Sequence, residues 1–167
     1  MGSTCKENAF IPRFIIGEFG KPRTRTAAQG ISQRHGRQNR ADRHDSQQGK
    51  PLLLAFFATW CKPCNRELKA IAELYDEWQQ ETGMRLIAVS VDQAQNINKV
   101  KPLVDQNGWR YDVLLDPNSE LRHALGIQLI PYTVLLDGQG NIVYRHNGYT
   151  DGAELELYEK IKEIASK

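Results

Sequence analysis

The stretch PLLLAFFATWCKPCNREL, residues 51–68, carries most of the information about the fold. It begins with a continuous apolar run over residues 51–57, which is typical of a strand buried on both faces. From Lys62 to about Gln80 the apolar residues recur at spacings of three and four, which predicts an amphipathic helix. Its predicted apolar face consists of Leu68, Ile71, Tyr75 and Trp78. Two cysteines therefore lie where a buried strand turns into a helix.

The rest of the chain downstream alternates between strand-like and helix-like patterns. A second strand is predicted over residues 84–91, and strand, helix and strand together predict a parallel, right-handed unit. Further predicted elements are a helix over 96–107 that Pro102 interrupts or restarts, a strand over 111–116, a short helix ended by Gly126, a hairpin of strands 132–136 and 141–146, and a helix over 152–165 with Leu155, Tyr158, Ile161 and Ile164 as its apolar residues.

The chain divides into two unlike parts. Residues 1–50 hold ten lysines and arginines against four acidic residues, whereas residues 51–167 hold twelve against sixteen. Since most of the first part has too few apolar residues to offset the entropy of ordering, we expect residues 1–49 to be a basic, largely disordered segment, with an edge strand at 10–19. Residues 50–167 are expected to form one α/β domain. No run of about eighteen apolar residues occurs, so no membrane-spanning helix is predicted.

The basic segment raises the question of a nucleic-acid partner. Its arginines could contact phosphates. They are Arg23, Arg25, Arg34, Arg37, Arg40 and Arg43. Aromatic residues are not interleaved with them, so a solvated basic tail is the better interpretation and no nucleic-acid partner is expected.

The spacing of Cys61 and Cys64 suits thiol chemistry. Two intervening residues place both sulfurs on one helical turn, close enough to form a small disulfide ring. Cys61 would lie at the helix N-terminus, where unpaired N–H groups and the helix dipole favour a thiolate, and Lys62 adds a nearby cation. We therefore expect Cys61 to be the nucleophile, with a depressed pKa, and Cys64 to be the more buried resolving thiol.

The cysteine pair has two other interpretations. Half of a zinc site would need two further ligands, and His123 and His146 are isolated in the sequence. A pair of inert core cysteines would not need to lie after a strand and before a helix. A redox dithiol is therefore favoured, and no metal site or cofactor is expected.

The chain resembles the thioredoxin superfamily and, within it, the TlpA/ResA-like thiol–disulfide oxidoreductases. The resemblance rests on FFATWCKPCNREL, on SVDQ followed by VLLDPNSELRHALGI, and on IPYTVLLDGQGNIVYRHNG. It covers about residues 50–167. It implies a thioredoxin-like α/β fold, with a central mixed sheet flanked by helices and a TlpA-like insertion after the second core strand.

The resemblance also implies roles for residues near the dithiol. Cys61 and Cys64 match the redox-active pair, and Trp60 matches the aromatic residue that covers it. Pro131 matches a cis-proline whose loop would present the Ile130 backbone as an edge to which a substrate strand can pair. Without the resemblance, Pro131 could equally be a trans proline that starts a strand.

Glu67 is a candidate catalytic carboxylate. It lies three residues after Cys64, so both face the same side of the helix. It matches a glutamate of the extracytoplasmic members, where a half-buried carboxylate could exchange a proton with Cys64. The alternative is a solvated glutamate that interacts with Lys62 or Lys69. Thioredoxin itself carries a buried acid at the position of Ala55, so Glu67 is the only nearby carboxylate candidate for this role.

The expected function is exchange of the dithiol with protein disulfides, as a reductant outside the cytoplasm, with a cytoplasmic location as the alternative. Expected partners are protein thiols or disulfides and an upstream electron-donor protein, and the chain is expected to be a monomer. A full-length precursor could carry a membrane anchor; Cys5 is a poor match to a lipid-attachment site and is read as an incidental thiol. Alternative functions are a peroxiredoxin-like peroxidase and a thiolate metallochaperone.

Overall fold

A computed structural model of the chain describes residues 49–166. The predictions of a disordered basic segment and of an edge strand at 10–19 lie outside the described residues, as does Cys5. Among the residues described, no helix is both long enough and apolar enough to cross a membrane.

Five strands form one mixed sheet. They are β1 (Leu52–Phe57), β2 (Arg85–Ser90), β3 (Asp112–Leu115), β4 (Tyr132–Leu136) and β5 (Ile142–Asn147). Their order in the sheet is β3-β2-β1-β4-β5. The pairs β1–β2 and β2–β3 are parallel, and the pairs β1–β4 and β4–β5 are antiparallel. The central strand β1 is buried from Leu53 to Phe57, because neighbouring strands and packed helices cover it, as its unbroken apolar run predicts.

Helices flank the sheet. They are α1 (Lys62–Thr82), α2 (Val100–Asn107), α3 (Glu120–Ala124) and α4 (Ala153–Ala165). The parallel β1–α1–β2 unit predicted from the sequence is confirmed. The segment between β2 and β4 contains α2, β3 and α3, and lies at the place where the resemblance implies an insertion. Helices α1 and α4 meet where the rings of Trp78 and Tyr158 stack with centroids 4.9 Å apart.

Pro102 and Gly126 mark the start of one helix and the end of another in this segment. A 3-10 turn at Ile97–Lys99 precedes α2, and Pro102 is the third residue of α2 itself. A proline in a first turn removes no helical hydrogen bond, so the helix restarts there and is not interrupted. Gly126 adopts a φ of 68°, a left-handed conformation that suits glycine, and follows α3 directly.

The predicted apolar face of α4 is wrong in part. Leu155 is 59% exposed, whereas Leu157 and Ile161 are buried. Residues spaced strictly by three fall back by about 60° at each step on a helix of about 3.6 residues per turn. Leu155 and Ile164 therefore lie on nearly opposite sides, and the buried face follows the spacing of four between Leu157 and Ile161.

Candidate functional site

The two cysteines lie at the junction of β1 and α1. After Phe57 the chain turns, and the Cys61 N–H donates to the carbonyl of Ala58 at 3.0 Å. Cys61 is the N-cap residue of α1, with φ −85° and ψ 99°, and its carbonyl accepts the first helical hydrogen bond from the Asn65 N–H at 3.1 Å. The sequence prediction that places Cys61 at the helix N-terminus is confirmed.

Cys61 and Cys64 are joined by a disulfide bond, with Sγ atoms 2.07 Å apart and Cα atoms 5.3 Å apart. The pair is unequally buried. Cys61 is 6% exposed, while Cys64, one turn inside the helix, is fully buried. An incoming reactant can therefore reach the pair only through Cys61. This is the asymmetry expected of a nucleophilic and a resolving thiol.

The Pro131 loop lies beside the dithiol. The Ile130–Pro131 peptide bond is cis. In the β1–β4 register Phe56 pairs with Tyr132, so Pro131 precedes the residue opposite the end of β1. Its carbonyl accepts a hydrogen bond from the Gly148 N–H at 2.9 Å, which attaches the loop to the end of β5.

Trp60 is largely in solvent. Its side chain is 65% exposed although it directly precedes the buried Cys61. It forms one wall of a groove of about 470 Å³ between the dithiol loop and the start of α2. The groove is lined by Thr59, Trp60, Asn98, Lys99, Pro102, Leu103 and Gln106. A second exposed apolar side chain, Leu129 at 64%, lies next to the cis-proline loop.

Glu67 is buried one helical turn beyond Cys64, with 4% of its surface exposed. Burial and, as a smaller cause, the nearby carboxylate of Glu154 together raise the pKa of its carboxyl group from 4.5 to about 8. The alternative of a solvated glutamate paired with Lys62 or Lys69 is wrong: both lysines are exposed, and no ion pair of residues 49–166 involves Glu67. A carboxyl group in this environment can hold a proton at neutral pH.

Tyr111 lies close enough to Glu67 for the two groups to interact electrostatically. The pKa of Tyr111 is raised, first by burial and then by the negative charge of Glu67. The Tyr111 hydroxyl donates to the carbonyl of Leu68 at 3.0 Å, and its ring stacks on Trp109 with centroids 5.5 Å apart. Trp109 also contacts Phe57 edge-on.

Asp92 is a second buried carboxylate at the site, and the sequence analysis did not identify it. It is 1% exposed and accepts hydrogen bonds from the N–H and the hydroxyl of Thr59, two residues before Cys61. A second buried carboxylate thus contacts the loop that leads to Cys61. Its position could have indicated it, because Asp92 follows the apolar run of β2 and the carboxyl ends of parallel neighbours meet at one edge of the sheet.

Metal binding was the competing interpretation of the cysteine pair. Across the described part of the chain, no group of three or more His, Cys, Asp or Glu side chains is arranged to hold a metal ion.

Comparison with known proteins gives a family match over most of the chain. The profile of the AhpC/TSA family matches residues 25–145. The thiol–disulfide oxidoreductase ResA of Bacillus thuringiensis is 33% identical over 112 residues, which are 67% of this chain and 63% of the relative. The chain therefore spans less than two thirds of the length of that relative.

Solved structures support the thioredoxin-like fold. A thioredoxin-like protein from Porphyromonas gingivalis is 58% identical with a TM-score of 0.63, and the match covers 71% of this chain and 77% of that one. StoA from Bacillus subtilis is 26% identical with a TM-score of 0.57, and the match covers 67% of this chain and 84% of that one. The fold predicted from the sequence is confirmed.

Proposed function

Because the chain belongs to the AhpC/TSA family of thioredoxin-like proteins, we propose that it is a thiol–disulfide oxidoreductase that exchanges the Cys61–Cys64 pair with disulfides of protein substrates. One observation carries the proposal. The pair forms a disulfide within one turn at a helix N-terminus, and only Cys61 reaches the surface. Similarity to a ResA thiol–disulfide oxidoreductase supports the same chemistry.

In the reducing direction the cycle begins with the open dithiol. The Cys61 thiolate attacks one sulfur of a substrate disulfide, so that a Cys61–substrate bond forms, the substrate S–S bond breaks and the released sulfur takes up a proton. Cys64 then loses its proton and attacks the Cys61 sulfur, which releases the second substrate thiol. Two electrons have passed to the substrate, and the Cys61–Cys64 disulfide remains.

Glu67 is proposed to exchange a proton with Cys64 in the second step: its ionised form, whose share grows as the pH approaches 8, accepts the thiol proton. The two residues lie one turn apart on the same face of α1, and both are buried. A free cysteine has a pKa of about 8.5, so a carboxyl group with a pKa of about 8 is closely matched to it. Matched pKa values keep the energetic cost of proton transfer low, and efficient general bases show this property.

Substrates are proposed to be held on both sides of Cys61. Trp60 offers an exposed apolar ring beside the nucleophile, and the backbone of Ile130 lies at the cis-proline loop. An extended substrate segment could pair with that backbone while its disulfide reaches Cys61.

The finer assignments rest on the resemblance to TlpA/ResA-like proteins. We propose a reductant that acts outside the cytoplasm and is returned to the dithiol state by an upstream electron-donor protein. Glu67 supports this assignment, since it matches a glutamate that the extracytoplasmic members carry. We further propose that residues 50–167 form the catalytic domain, because the sheet and both cysteines lie within it.

Insulin reduction in the presence of dithiothreitol tests the proposal. Cys61→Ser should abolish the catalysed rate, whereas Cys5→Ser, the matched removal of a cysteine outside the pair, should retain it. Equal rates for wild type and Cys61→Ser would remove the oxidoreductase assignment. Faster consumption of hydrogen peroxide than of insulin disulfides would indicate a peroxidase instead. Equilibration in a glutathione series would then give the redox potential and the direction of exchange.

A further inference from the structure

We propose that Asp92 is a positioning residue that fixes the loop before Cys61 and thereby holds the Cys61 sulfur at the N-terminus of α1 in its reactive place. This inference rests on the proposed function, because it assigns a further residue to the same site. It concerns a residue two positions after the end of β2, which touches neither cysteine in any hydrogen bond of the described residues.

The contacts of Asp92 converge on one loop residue. Its Oδ2 accepts from the Thr59 N–H at 2.8 Å, and its Oδ1 accepts from the Thr59 hydroxyl at 2.7 Å. The Ser90 hydroxyl donates to Oδ2 at 2.9 Å and orients the carboxylate from its own strand. Both carboxylate oxygens thus accept hydrogen bonds, and two of the three bonds come from the backbone N–H and the side-chain hydroxyl of Thr59. We call this arrangement the Asp92–Thr59 clamp.

The loop is also held from the helix side. The Asn65 side-chain amide donates to the Thr59 carbonyl at 3.0 Å, and the Cys61 N–H donates to the Ala58 carbonyl at 3.0 Å. The N–H, the hydroxyl and the carbonyl of Thr59 therefore all have partners. Only Trp60 separates this fixed residue from the nucleophile.

Hydrogen bonds matter here because the residue directly before the nucleophile does not pack in the core. Trp60 is 65% exposed, so its ring does not anchor the backbone in the core. The field of a helix N-terminus falls off within the first turn, so stabilisation of a thiolate depends on where the sulfur lies. Loosening Thr59 would let the Cys61 sulfur move away from the unpaired N–H groups of α1.

Position and charge predict opposite results, which makes the proposal testable. If Asp92 acts through its negative charge, its removal should favour the Cys61 thiolate, because a like charge disfavours ionisation. If Asp92 acts through the clamp, its removal should disfavour the thiolate. The carboxylate accepts three hydrogen bonds, so we expect the positional effect to dominate.

Asp92→Asn is the decisive variant. It keeps the shape of the side chain but replaces one acceptor oxygen by an amide NH₂ group. At least one of the hydrogen bonds that Asp92 accepts is therefore lost. Asp116→Asn is the matched control, because Asp116 is 2% exposed and also accepts two backbone hydrogen bonds, from Leu121 and Arg122 of α3. Both variants remove one buried aspartate, and only the first touches the dithiol loop.

The measurement is the rate at which iodoacetamide alkylates the Cys61 peptide of the reduced protein, followed by mass spectrometry across pH. Asp92→Asn should raise the pKa of the Cys61 thiol by about one pH unit and slow alkylation at neutral pH by roughly fivefold. Asp116→Asn should change the rate by less than about twofold. Circular dichroism establishes that each variant is folded.

An unchanged or faster rate in folded Asp92→Asn would overturn the proposal. If that variant does not fold, Thr59→Val removes one bond of the clamp and keeps the carboxylate; a slower rate supports the proposal, and a wild-type rate overturns it. Alkylation needs no protein substrate. A wild type that fails to reduce insulin would therefore defeat the proposed function and leave the result on Asp92 readable.

Discussion

Two buried carboxylates lie near the dithiol, and their surroundings differ. Asp92 is 1% exposed and Glu67 is 4% exposed, so burial alone does not distinguish them. Asp92 accepts hydrogen bonds from Thr59 and Ser90 through both of its oxygens. Glu67 accepts none of the side-chain hydrogen bonds found among residues 49–166, and it lies in the field of Glu154.

The comparison shows that the number of hydrogen-bond donors around a buried carboxyl group, more than its degree of burial, decides what the group can do. A carboxylate with several donors is tied in place and serves as a structural anchor. A buried carboxyl group without hydrogen-bond donors keeps a proton near neutral pH and can exchange that proton with a neighbouring group. Under the two proposals, Asp92 fixes the loop on the Cys61 side and Glu67 exchanges a proton on the Cys64 side.

The largest expected effect is on the pH dependence of stability of the disulfide form, in which neither member of the pair titrates. The pKa of Glu67 is about 8 in the folded chain and 4.5 ordinarily, so the folded state holds a proton that the unfolded state has released. Stability should therefore fall between about pH 4.5 and pH 8, by on the order of 4 kcal/mol in total.

Glu67→Gln should remove this loss, because glutamine mimics the protonated form at every pH. Urea unfolding of the two oxidised proteins should give similar free energies of unfolding near pH 4.5. At pH 8 and above the variant should be the more stable protein. Parallel curves for wild type and Glu67→Gln would show that Glu67 has an ordinary pKa.

Truncation of the other acid should act in the opposite direction. Asp92→Ala should lower the free energy of unfolding at pH 7 by about 3 kcal/mol, because it leaves the donors of Thr59 and Ser90 without their acceptor. Urea titration measures this loss. A stabilised Asp92→Ala protein would break the contrast between the two acids.

A smaller effect should come from Glu154, the second cause of the Glu67 shift. Glu154 accepts hydrogen bonds from the Tyr149 hydroxyl and the Gly152 N–H, each at 3.1 Å, and glutamine can accept both. Glu154→Gln should lower the pKa of Glu67 by about one pH unit or less, since burial is the larger cause. Urea unfolding of Glu154→Gln and of Glu154→Gln/Glu67→Gln across pH gives the pKa of Glu67 in the variant. If stability falls over the same pH range as in the wild type, Glu154 does not contribute to the raised pKa of Glu67.

The weakest effect is expected at Asp151, which lies just before α4 and three residues before Glu154. It pairs with Arg66 at 2.5 Å, but the two side chains are 74% and 63% exposed. Asp151→Asn should change the free energy of unfolding by less than about 0.5 kcal/mol and leave the Glu67 window in place. If Asp151→Asn lowers the pKa of Glu67 as much as Glu154→Gln does, then Asp151 also acts on Glu67 through its charge.

Much of the fold follows from local patterns. The unbroken apolar run of β1 and the spacing of buried residues on α1 identify both elements, because each pattern reports burial directly. Leu155 shows the limit of the method: a spacing of three suggests a face, but only the position of α4 against α1 decides which residues are covered. The sequence likewise placed Cys61 at a helix N-terminus but carried no signal for the three donors around Asp92.

The sequence alone sets the spacing of the pair, since two cysteines separated by two residues at the start of a helix share one turn. The burial and the hydrogen-bond partners of Glu67 and Asp92, in contrast, come from the tertiary structure. Thr59 and Asp92 are 33 residues apart, and Glu67 acquires its raised pKa from burial and from Glu154 of the last helix. Burial and hydrogen-bond partners come from elements distant in the chain, so no local pattern encodes them.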